Sequence, residues 1–418
     1  MIAKTITVVL ALVGTPLFIV ISALALISFD SVDIDPSVII IEMTRLGDTP
    51  LLISLPLFIF AGTMLSESGA PERILKLSRL LLGWLPGGLA VITLLVCAVF
   101  TAFTGASGVT IFALGSLLLP ALLKDGYSDR FSLGLITSSG SLGLLFPPSL
   151  PLILYGVIAE TRIDHLFLAG ILPGFLMLLL LCGYALKSGI THSREELVSE
   201  SPLKVLQETI WELPLPFIII IGIYGGFMVA GEAAAVTALY VLIVEVFILR
   251  DIALRQIPRI MGQSMTLFGG ILVILAASMA STNYLIDQEV PARLFEFISA
   301  YIDSKYTFLL LLNVFLLIVG SILDIFSALV LVVPLILPIA TGYEINPIHL
   351  GIIFLTNLQI GYCTPPVGLN LFLASYRFKR PVFELYRATL PFLGLLAITL
   401  VLITYFPWLS LVLVGMFG

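Results

Sequence analysis

The chain has 418 residues, of which 59% are hydrophobic and 11% are charged, and its formal net charge is −6. About a quarter of the residues of a soluble globular domain are charged, so this composition excludes a soluble protein of this size. Apolar runs long enough to cross about 30 Å of hydrocarbon recur along the whole chain. Alternating barrel strands are absent, and backbone polar groups must be paired inside a bilayer, so we expect an all-α polytopic membrane protein.

Hydrophobic segments in chain order predict nine crossings and two hairpins. The crossings are expected at residues 4–28, 50–66, 131–158, 165–187, 211–230, 233–249, 260–281, 347–375 and 389–416. The hairpins, 87–123 and 306–341, each leave and return on one side. Amphipathic stretches at 73–84 and 291–302 come before them, and such helices can lie in the membrane interface. These stretches are either horizontal arms between a moving bundle and a fixed scaffold or ordinary connectors.

The distribution of basic residues predicts the orientation, because short loops rich in Lys and Arg stay in the cytoplasm. Of the twenty Lys and Arg residues, the plan leaves only Arg45, Arg162, Arg293 and Lys305 outside. We therefore expect a bacterial inner-membrane protein with a cytoplasmic N-terminus and a periplasmic C-terminus. Glu245 is expected at a cytoplasmic helix end, pointing to water, and the histidines are expected in loops.

Two proline pairs reveal an internal duplication. Pro147-Pro148 and Pro365-Pro366 lie 218 positions apart, and the same offset brings Gly143 onto Gly361. A proline also precedes each pair at the same distance. Self-similarity at a fixed offset is the signature of a structural repeat.

The duplication divides the chain into two repeats. The first repeat, 1–210, holds the hairpin 87–123 and a broken helix over 131–158. The second, 233–418, holds the hairpin 306–341 and a broken helix over 347–375. The single linking helix, 211–232, makes the two copies inverted in the membrane, which is typical of secondary transporters that bind substrate where helices are broken.

The two breaks are the predicted binding sites. Proline removes a backbone donor and unwinds its helix, and the freed carbonyls are tolerated only where they line a cavity or bind an ion. The alternative is that the glycines and prolines only kink packed helices. Glycines at the hairpin tips (Gly105 and Gly108, or Gly320) allow close approach to the breaks. Hydroxyl groups suited to Na⁺ are present beside them: Ser107, Ser149, Ser321 and Thr364.

Two further polar residues are candidates for the site. Asp324 lies at the tip of the second hairpin, where an intramembrane carboxylate indicates a functional role unless it reaches water. Asn370 follows the second break and offers an amide oxygen, or else makes a polar contact between helices. Half-helix N-termini beside the breaks favour an anionic substrate.

Motifs of enzymes and of nucleotide hydrolysis are missing from the sequence. There is no phosphate-binding loop, no G-x-S-x-G elbow and no H-E-x-x-H helix. We therefore expect neither an enzyme nor a protein with an organic cofactor, and no nucleic-acid partner.

Five segments resemble the large membrane subunit of the tripartite ATP-independent periplasmic (TRAP) transporters. They are T-G-A-S-G-V-T (104–110), P-P-S-L-P-L-I-L-Y-G (147–156), L-F-L-A-G-I-L-P-G (166–174), G-I-Y-G-G (222–226) with E-A-A-A-V (232–236), and T-P-P-V-G-L-N-L-F (364–372). The chain departs from the family pattern at 227–231, where a T-P-T-like stretch would be expected.

The resemblance implies an elevator-type transporter driven by a sodium gradient, with Na⁺ as the coupling ion. Its implied partners are a small four-helix membrane subunit, a soluble periplasmic binding protein, a small organic anion such as a dicarboxylate or sialic acid, and membrane lipid. By resemblance, one sodium site lies at Gly105, Ser107, Pro147 and Ser149. The other lies at Gly320, Ser321, Thr364, Pro365 and Gly368. The anion is expected between them, at Ser107, Ser149, Asp324 and Asn370.

Three alternatives remain open from the sequence. One is a related ion-coupled anion transporter that needs no binding protein. Another is an anion channel or intramembrane scaffold, which sodium-independent flux without saturation would indicate. An intramembrane enzyme is the third, and it lacks any paired catalytic residues.

Overall fold

The computed structural model describes residues 17–30, 50–82, 87–188 and 202–417, with a few isolated positions before residue 50. The described part of the chain is helical and contains no strand. Its α-helices are α1 (Leu17–Asp30), α2 (Ser54–Glu67), α3 (Ala70–Leu82), α4 (Gly88–Thr104), α5 (Ser107–Lys124), α6 (Asp129–Ser139), α7 (Leu150–Ile158), α8 (Ile163–Ser188), α9 (Pro202–Thr209), α10 (Pro214–Tyr224), α11 (Ala230–Ile243), α12 (Ile257–Asp287), α13 (Val290–Ser299), α14 (Lys305–Ile322), α15 (Ile325–Gly342), α16 (Pro347–Gly361), α17 (Leu369–Phe378), α18 (Val382–Tyr405) and α19 (Trp408–Phe417).

Membrane-spanning helices dominate this fold. Among the described residues, seven helices are long and apolar enough to cross a bilayer, and two further helix pairs form bent spans. The prediction of an all-α polytopic protein is therefore confirmed. Of the first predicted crossing, α1 is described, while most of the residues before it lie outside the described part of the chain.

Two helical hairpins form where they were predicted. In the first hairpin α4 and α5 are joined by Gly105 and Ala106, and Gly105 has φ +64°, a conformation that glycine adopts without strain. The second hairpin joins α14 and α15 through Leu323 and Asp324. The Asp324 carboxylate accepts the Ser327 N–H at 3.2 Å and so caps α15.

Both proline pairs interrupt a helix. The first broken helix consists of α6, a 3₁₀ turn over Leu142–Leu145, and α7, with a bend of 45°. The second consists of α16 and α17, separated by residues 362–368. Both Pro-Pro peptide bonds are cis. Because proline has no N–H to donate, a helix cannot continue through these pairs without losing hydrogen bonds.

The two broken helices meet in the core. Tyr155 of α7 is fully buried, and its hydroxyl donates to the Pro347 carbonyl at the start of α16 over 2.6 Å. A Cβ on Gly351 would come 2.6 Å from the Tyr155 ring. A side chain at this position would therefore push the helices apart.

Several predicted boundaries need correction. The linking helix, predicted over 211–232, is shorter, because α10 ends at Tyr224 and α11 begins at Ala230. The second broken helix continues to Phe378, beyond the predicted residue 375. The predicted crossing at 389–416 is two helices, α18 and α19, because Pro407 cannot donate the hydrogen bond that would continue α18.

The predicted environments of Glu245 and of two histidines were wrong. Glu245 does not point to water: it is 1% exposed and contacts Arg73, which comes from α3. His165 lies in α8, and His349 is buried in α16, where Nδ1 is 3.2 Å from the Ser410 hydroxyl. Glu245 and His349 can be buried because each has a polar partner distant in sequence, which periodicity does not reveal.

Candidate functional site

The tip of the first hairpin lies against both halves of the first broken helix. A Cβ on Gly105 would come 2.6 Å from Leu150 Cγ, at the start of α7. On the other side, the Thr101 hydroxyl donates to the Gly140 carbonyl over 2.9 Å, just after α6 ends. Thr110 of α5 shares this hydrogen bond network, with its hydroxyl 2.7 Å from that of Thr101. The hairpin thus reaches the break where backbone groups leave the helix.

Two predicted serine ligands of this first break differ in their surroundings. Ser107 is buried as the first residue of α5. Ser149 caps α7: its hydroxyl donates to the Leu144 carbonyl and accepts the Leu152 N–H at 3.3 Å. Its oxygen therefore already serves the local backbone, and this capping function was not expected from the sequence. Pro147 is partly exposed beside it.

The tip of the second hairpin makes corresponding contacts with the second break. A Cβ on Gly361 would come 2.6 Å from the Gly320 carbonyl carbon. The Ser321 carbonyl accepts the Gly368 N–H at 2.9 Å, and the Thr364 hydroxyl donates to the Gly361 carbonyl over 2.9 Å. Predicted residues from the hairpin and from the break are therefore in direct contact. Unlike the buried first break, this break is exposed at Pro365 and Pro366.

The contacts of the two breaks repeat at the sequence offset of 218. A Cβ on Gly143 would overlap the backbone nitrogen of Ala102. At the offset of 218 these two residues correspond to Gly361 and Gly320, which are in close contact in the same way. In addition, the Ser141 hydroxyl donates to the Gln359 carbonyl over 3.4 Å, and these residues are themselves 218 positions apart. Equivalent positions can touch in this way only close to an axis that relates the two copies.

Asn370 connects the two broken helices. It is fully buried, and its amide nitrogen lies 3.4 Å from the Thr137 carbonyl of α6. Its Oδ1 is buried and has no hydrogen-bond partner within the described part of the chain. Buried polar atoms are nearly always paired, so this acceptor marks a position where a ligand or water can bind.

Asp324 has a different role in the structure from Asn370. Its carboxylate is engaged in capping α15 and is only partly buried. Tyr362, from the second break, accepts the neighbouring Ile325 N–H with its hydroxyl. The structure therefore places Asp324 at the hairpin tip but next to Tyr362 and not next to Asn370's free oxygen.

Sequence reasoning missed several residues of this site. They are Thr101, Thr110, Thr137, Gly140 and Tyr362. The repeat offset does not single out Gly140, because its counterpart is Leu358. Thr101, Thr110 and Thr137 are ordinary helix residues and Tyr362 lies in the second break, and the role of each depends on contacts between distant segments. No group of three or more His, Cys, Asp or Glu side chains with the geometry of a metal site occurs among the residues described.

Comparison with known proteins identifies the family. Residues 5–409 match the family described as "Tripartite ATP-independent periplasmic transporter, DctM component". The C4-dicarboxylate TRAP transporter large permease protein DctM of Pseudomonas aeruginosa is 33% identical over 385 residues, which cover 90% of this chain and 89% of that protein. The isethionate TRAP transporter permease protein DctMQ of Oleidesulfovibrio alaskensis is 34% identical over 90% of this chain. The alignment spans only 60% of that longer relative.

A solved structure shares the fold. The YdaH transporter of Alcanivorax borkumensis, described as having an unusual topology, superimposes with a TM-score of 0.60 at 14% identity. The superposition covers 89% of this chain and 87% of that one. At this identity the likeness shows the fold alone. With the sequence match over nearly the whole chain, the two hairpins and the two broken helices, the chain belongs to the DctM family of TRAP transporter large permeases.

Proposed function

We propose that this chain is the large membrane subunit of a sodium-coupled transporter that imports a small organic anion by an elevator-type alternating-access mechanism. The observation that carries the proposal is the insertion of each hairpin tip into a helix break, repeated at the offset of 218. Broken helices at matching positions of two repeats supply backbone carbonyls for Na⁺ and half-helix N-termini for anions. α7 and α17 begin at the two breaks and present such N-termini.

The proposed sodium ligands at both sites are uncharged oxygen atoms of hydroxyl groups and backbone carbonyls. The first site would use Gly105, Ser107 and the segment of Pro147 and Ser149, and the second would use Gly320, Ser321 and Thr364 with Pro365 and Gly368. The substrate would bind between them near Asn370, with Ser107, Ser149 and Asp324 at the edges of that region. The capping hydrogen bonds of Ser149 and Asp324 favour a positioning role for these two side chains.

The partners of this chain are part of the proposal. The family name supports a tripartite system, and the isethionate relative, DctMQ, joins large and small permeases in one chain. We therefore propose a small membrane subunit and a soluble periplasmic binding protein as partners, with lipid around the spans. The distribution of basic residues supports an inner-membrane location with the N-terminus in the cytoplasm. The names of the two relatives given above contain isethionate, a sulfonate, and a C4-dicarboxylate. Both compounds are organic anions, which supports an organic anion as the substrate of this chain.

Reconstitution tests this function. The chain is purified together with its proposed small membrane subunit and is placed in liposomes, and the uptake of labelled organic acids is measured with and without the binding protein. We expect uptake only when an inward sodium gradient and the binding protein are both present. Sodium-driven uptake without the binding protein would favour a self-sufficient transporter. Unsaturable flux that ignores sodium would contradict the proposal in favour of a channel.

Replacing Thr364 by alanine is expected to weaken sodium binding at the second break. Removal of one hydroxyl ligand should raise the sodium concentration for half-maximal uptake about tenfold, which corresponds to about 1.4 kcal/mol. Ser107→Ala should act in the same direction at the first break. Thr341→Ala is the matched control, because the Thr341 hydroxyl makes the same kind of bond to a helix carbonyl, Leu337, but on an exposed face. A sodium titration of Thr364→Ala that overlies that of Thr341→Ala would refute the assignment.

Replacing Asn370 by leucine is expected to impair substrate binding, with no loss of fold. The two side chains have the same branching and the same number of heavy atoms, but leucine cannot supply the unpartnered Oδ1. We expect at least a tenfold rise in the substrate concentration for half-maximal uptake, with a melting temperature close to that of the parent. Asn283→Leu in α12, outside both broken helices, is the control. Unchanged uptake kinetics would show that Asn370 is only a contact between helices.

A further inference from the structure

A buried ionic cluster joins the amphipathic helix α3 to the turn before α10 and to the segment that follows α11. We name it the arm joint and define it by Arg73, Glu212, Glu245 and Asp251. Arg73 Nε binds Glu212 Oε1, Nη1 binds Asp251, and Nη2 lies 3.1 and 3.2 Å from the two oxygens of Glu245. The arm joint lies outside the candidate transport site and is not required by the repeat, because the offset of 218 places Pro291 opposite Arg73.

The charges of the arm joint do not balance. Three carboxyl groups surround one guanidinium, and the side chains of Glu212 and Glu245 are 4% and 1% exposed. Asp251 is 27% exposed, so water solvates its charge in part. An uncompensated carboxylate that is buried away from water costs several kcal/mol, and such a group takes up a proton in preference.

The hydrogen bonds indicate which carboxyl group holds the proton. Both oxygens of Glu245 contact Arg73, and Asp251 also accepts the Gly69 N–H at 2.9 Å. Glu212 Oε2, by contrast, is buried and has no partner among the residues described. A proton on this oxygen leaves Arg73 and Glu245 as a balanced buried pair.

Within the described ranges, the other charged groups around the joint do not supply the missing compensation. Those that face it from each neighbouring element are Lys76 on α3, Lys204 and Glu208 on α9, and Tyr240 on α11. Lys76 and Lys204 both pair with Glu208, and the Tyr240 hydroxyl donates to the Trp211 carbonyl. Glu212 lies in the turn before α10, and it shares the single positive charge of Arg73 with Glu245 and Asp251.

We propose that the arm joint is a proton-binding site in which Glu212 stays protonated at neutral pH and releases its proton in alkaline solution. Loss of the proton leaves a second buried negative charge beside one guanidinium and loosens the attachment of α3. At neutral pH the folded chain holds a proton on Glu212 that the unfolded chain has released. The free energy of unfolding therefore falls as the pH rises above the range in which a glutamate side chain ordinarily titrates. The arm joint thus makes the fixation of this helix sensitive to pH, independently of whether the chain carries an organic anion.

Thermal unfolding of the purified full-length chain in detergent between pH 6 and pH 9 tests the proposal. We expect the melting temperature of the parent to fall by roughly 3 °C or more over this range. Glu212→Gln, which resembles the protonated side chain, should match the parent at pH 6 and lose this fall. Glu208→Gln is the control, because Glu208 is a partly exposed carboxylate on the neighbouring helix, and it should retain the fall.

Three outcomes would overturn the proposal. One is a Glu212→Gln variant that is much less stable than Glu208→Gln at pH 6, since this would mean that the carboxylate is charged. Another is a sodium-dependent rise in the parent's melting temperature at pH 9 that Glu212→Gln abolishes, because a metal cation would then replace the proton. The third outcome comes from infrared spectroscopy of the parent, a measurement that does not depend on how the variants fold. The absence of a protonated carboxyl band that titrates between pH 6 and pH 9 would likewise contradict the proposal.

Discussion

Arg73→Met is expected to be among the most damaging single substitutions outside the helix breaks. The methionine keeps much of the apolar stem but removes the only cation that contacts Glu212, Glu245 and Asp251 directly in the described structure. Removal of one partner of a buried ion pair costs about 3–5 kcal/mol. The burial of Arg73 lowers the pKa of its guanidinium, but the three carboxyl groups outweigh this effect and keep the group charged. We expect a fall of about 5 °C in the melting temperature of the purified chain.

A second substitution separates lost charge from lost packing. Adding Glu245→Gln to Arg73→Met removes the buried carboxylate that the first substitution leaves without its cation, so part of the lost stability should return. Lys76→Met is the control on the same helix, because Lys76 is 42% exposed and exposed ion pairs contribute little to stability. Equal melting temperatures for Arg73→Met and Lys76→Met would show that the arm joint does not stabilise α3.

Gly361→Ala and Gly143→Ala are each expected to disrupt the contact between a hairpin and its break. A Cβ on Gly361 would come 2.6 Å from the Gly320 carbonyl carbon, and a Cβ on Gly143 would overlap the carbonyl oxygen of Ala98. These neighbours are backbone atoms, so no side chain can rotate away. Overpacking of this kind costs about 1–3 kcal/mol or more, and sodium-driven uptake should be lost even where the variant folds.

Two helical glycines provide the controls for this prediction. A Cβ on Gly183 in α8 or on Gly394 in α18 would meet nothing within 4 Å. Alanine in the interior of a helix is favoured over glycine by roughly 0.5–1 kcal/mol, so Gly183→Ala and Gly394→Ala should be neutral or slightly stabilising. The measurements are the melting temperature and the initial rate of uptake. A Gly361→Ala variant that behaves like Gly394→Ala in both would contradict the close contact.

The hairpins and helix breaks could be predicted because their causes are local. A proline lacks a backbone donor wherever it occurs, and its two pairs together with Gly105 specify where helices end and where the chain reverses. The repeat then added a constraint on long-range order, since residues at a fixed offset belong to corresponding helices of the two copies. The contact between Ser141 and Gln359 is the clearest evidence of this constraint in the structure.

The arm joint and the hydrogen bonds of the site could not be predicted in this way. Arg73 and Glu245 are 172 positions apart, and each on its own resembles a charged residue at a helix end. Ser149 resembled an ion ligand, whereas its hydroxyl caps α7, because Ser is also a preferred residue at a helix N-cap. The same chemical group satisfies either role, and only its neighbours in space decide between them.

The axis between Ser141 and Gln359 gives this protein an internal reference for experiments. A residue away from the axis has a twin 218 positions along the chain, in the same type of helix but with different neighbours. Changing first one twin and then the other compares two equivalent positions against the same parent protein, in the same lipid. A difference between the two variants then belongs to the copy that was altered, whereas a substitution on the axis disturbs both copies at once.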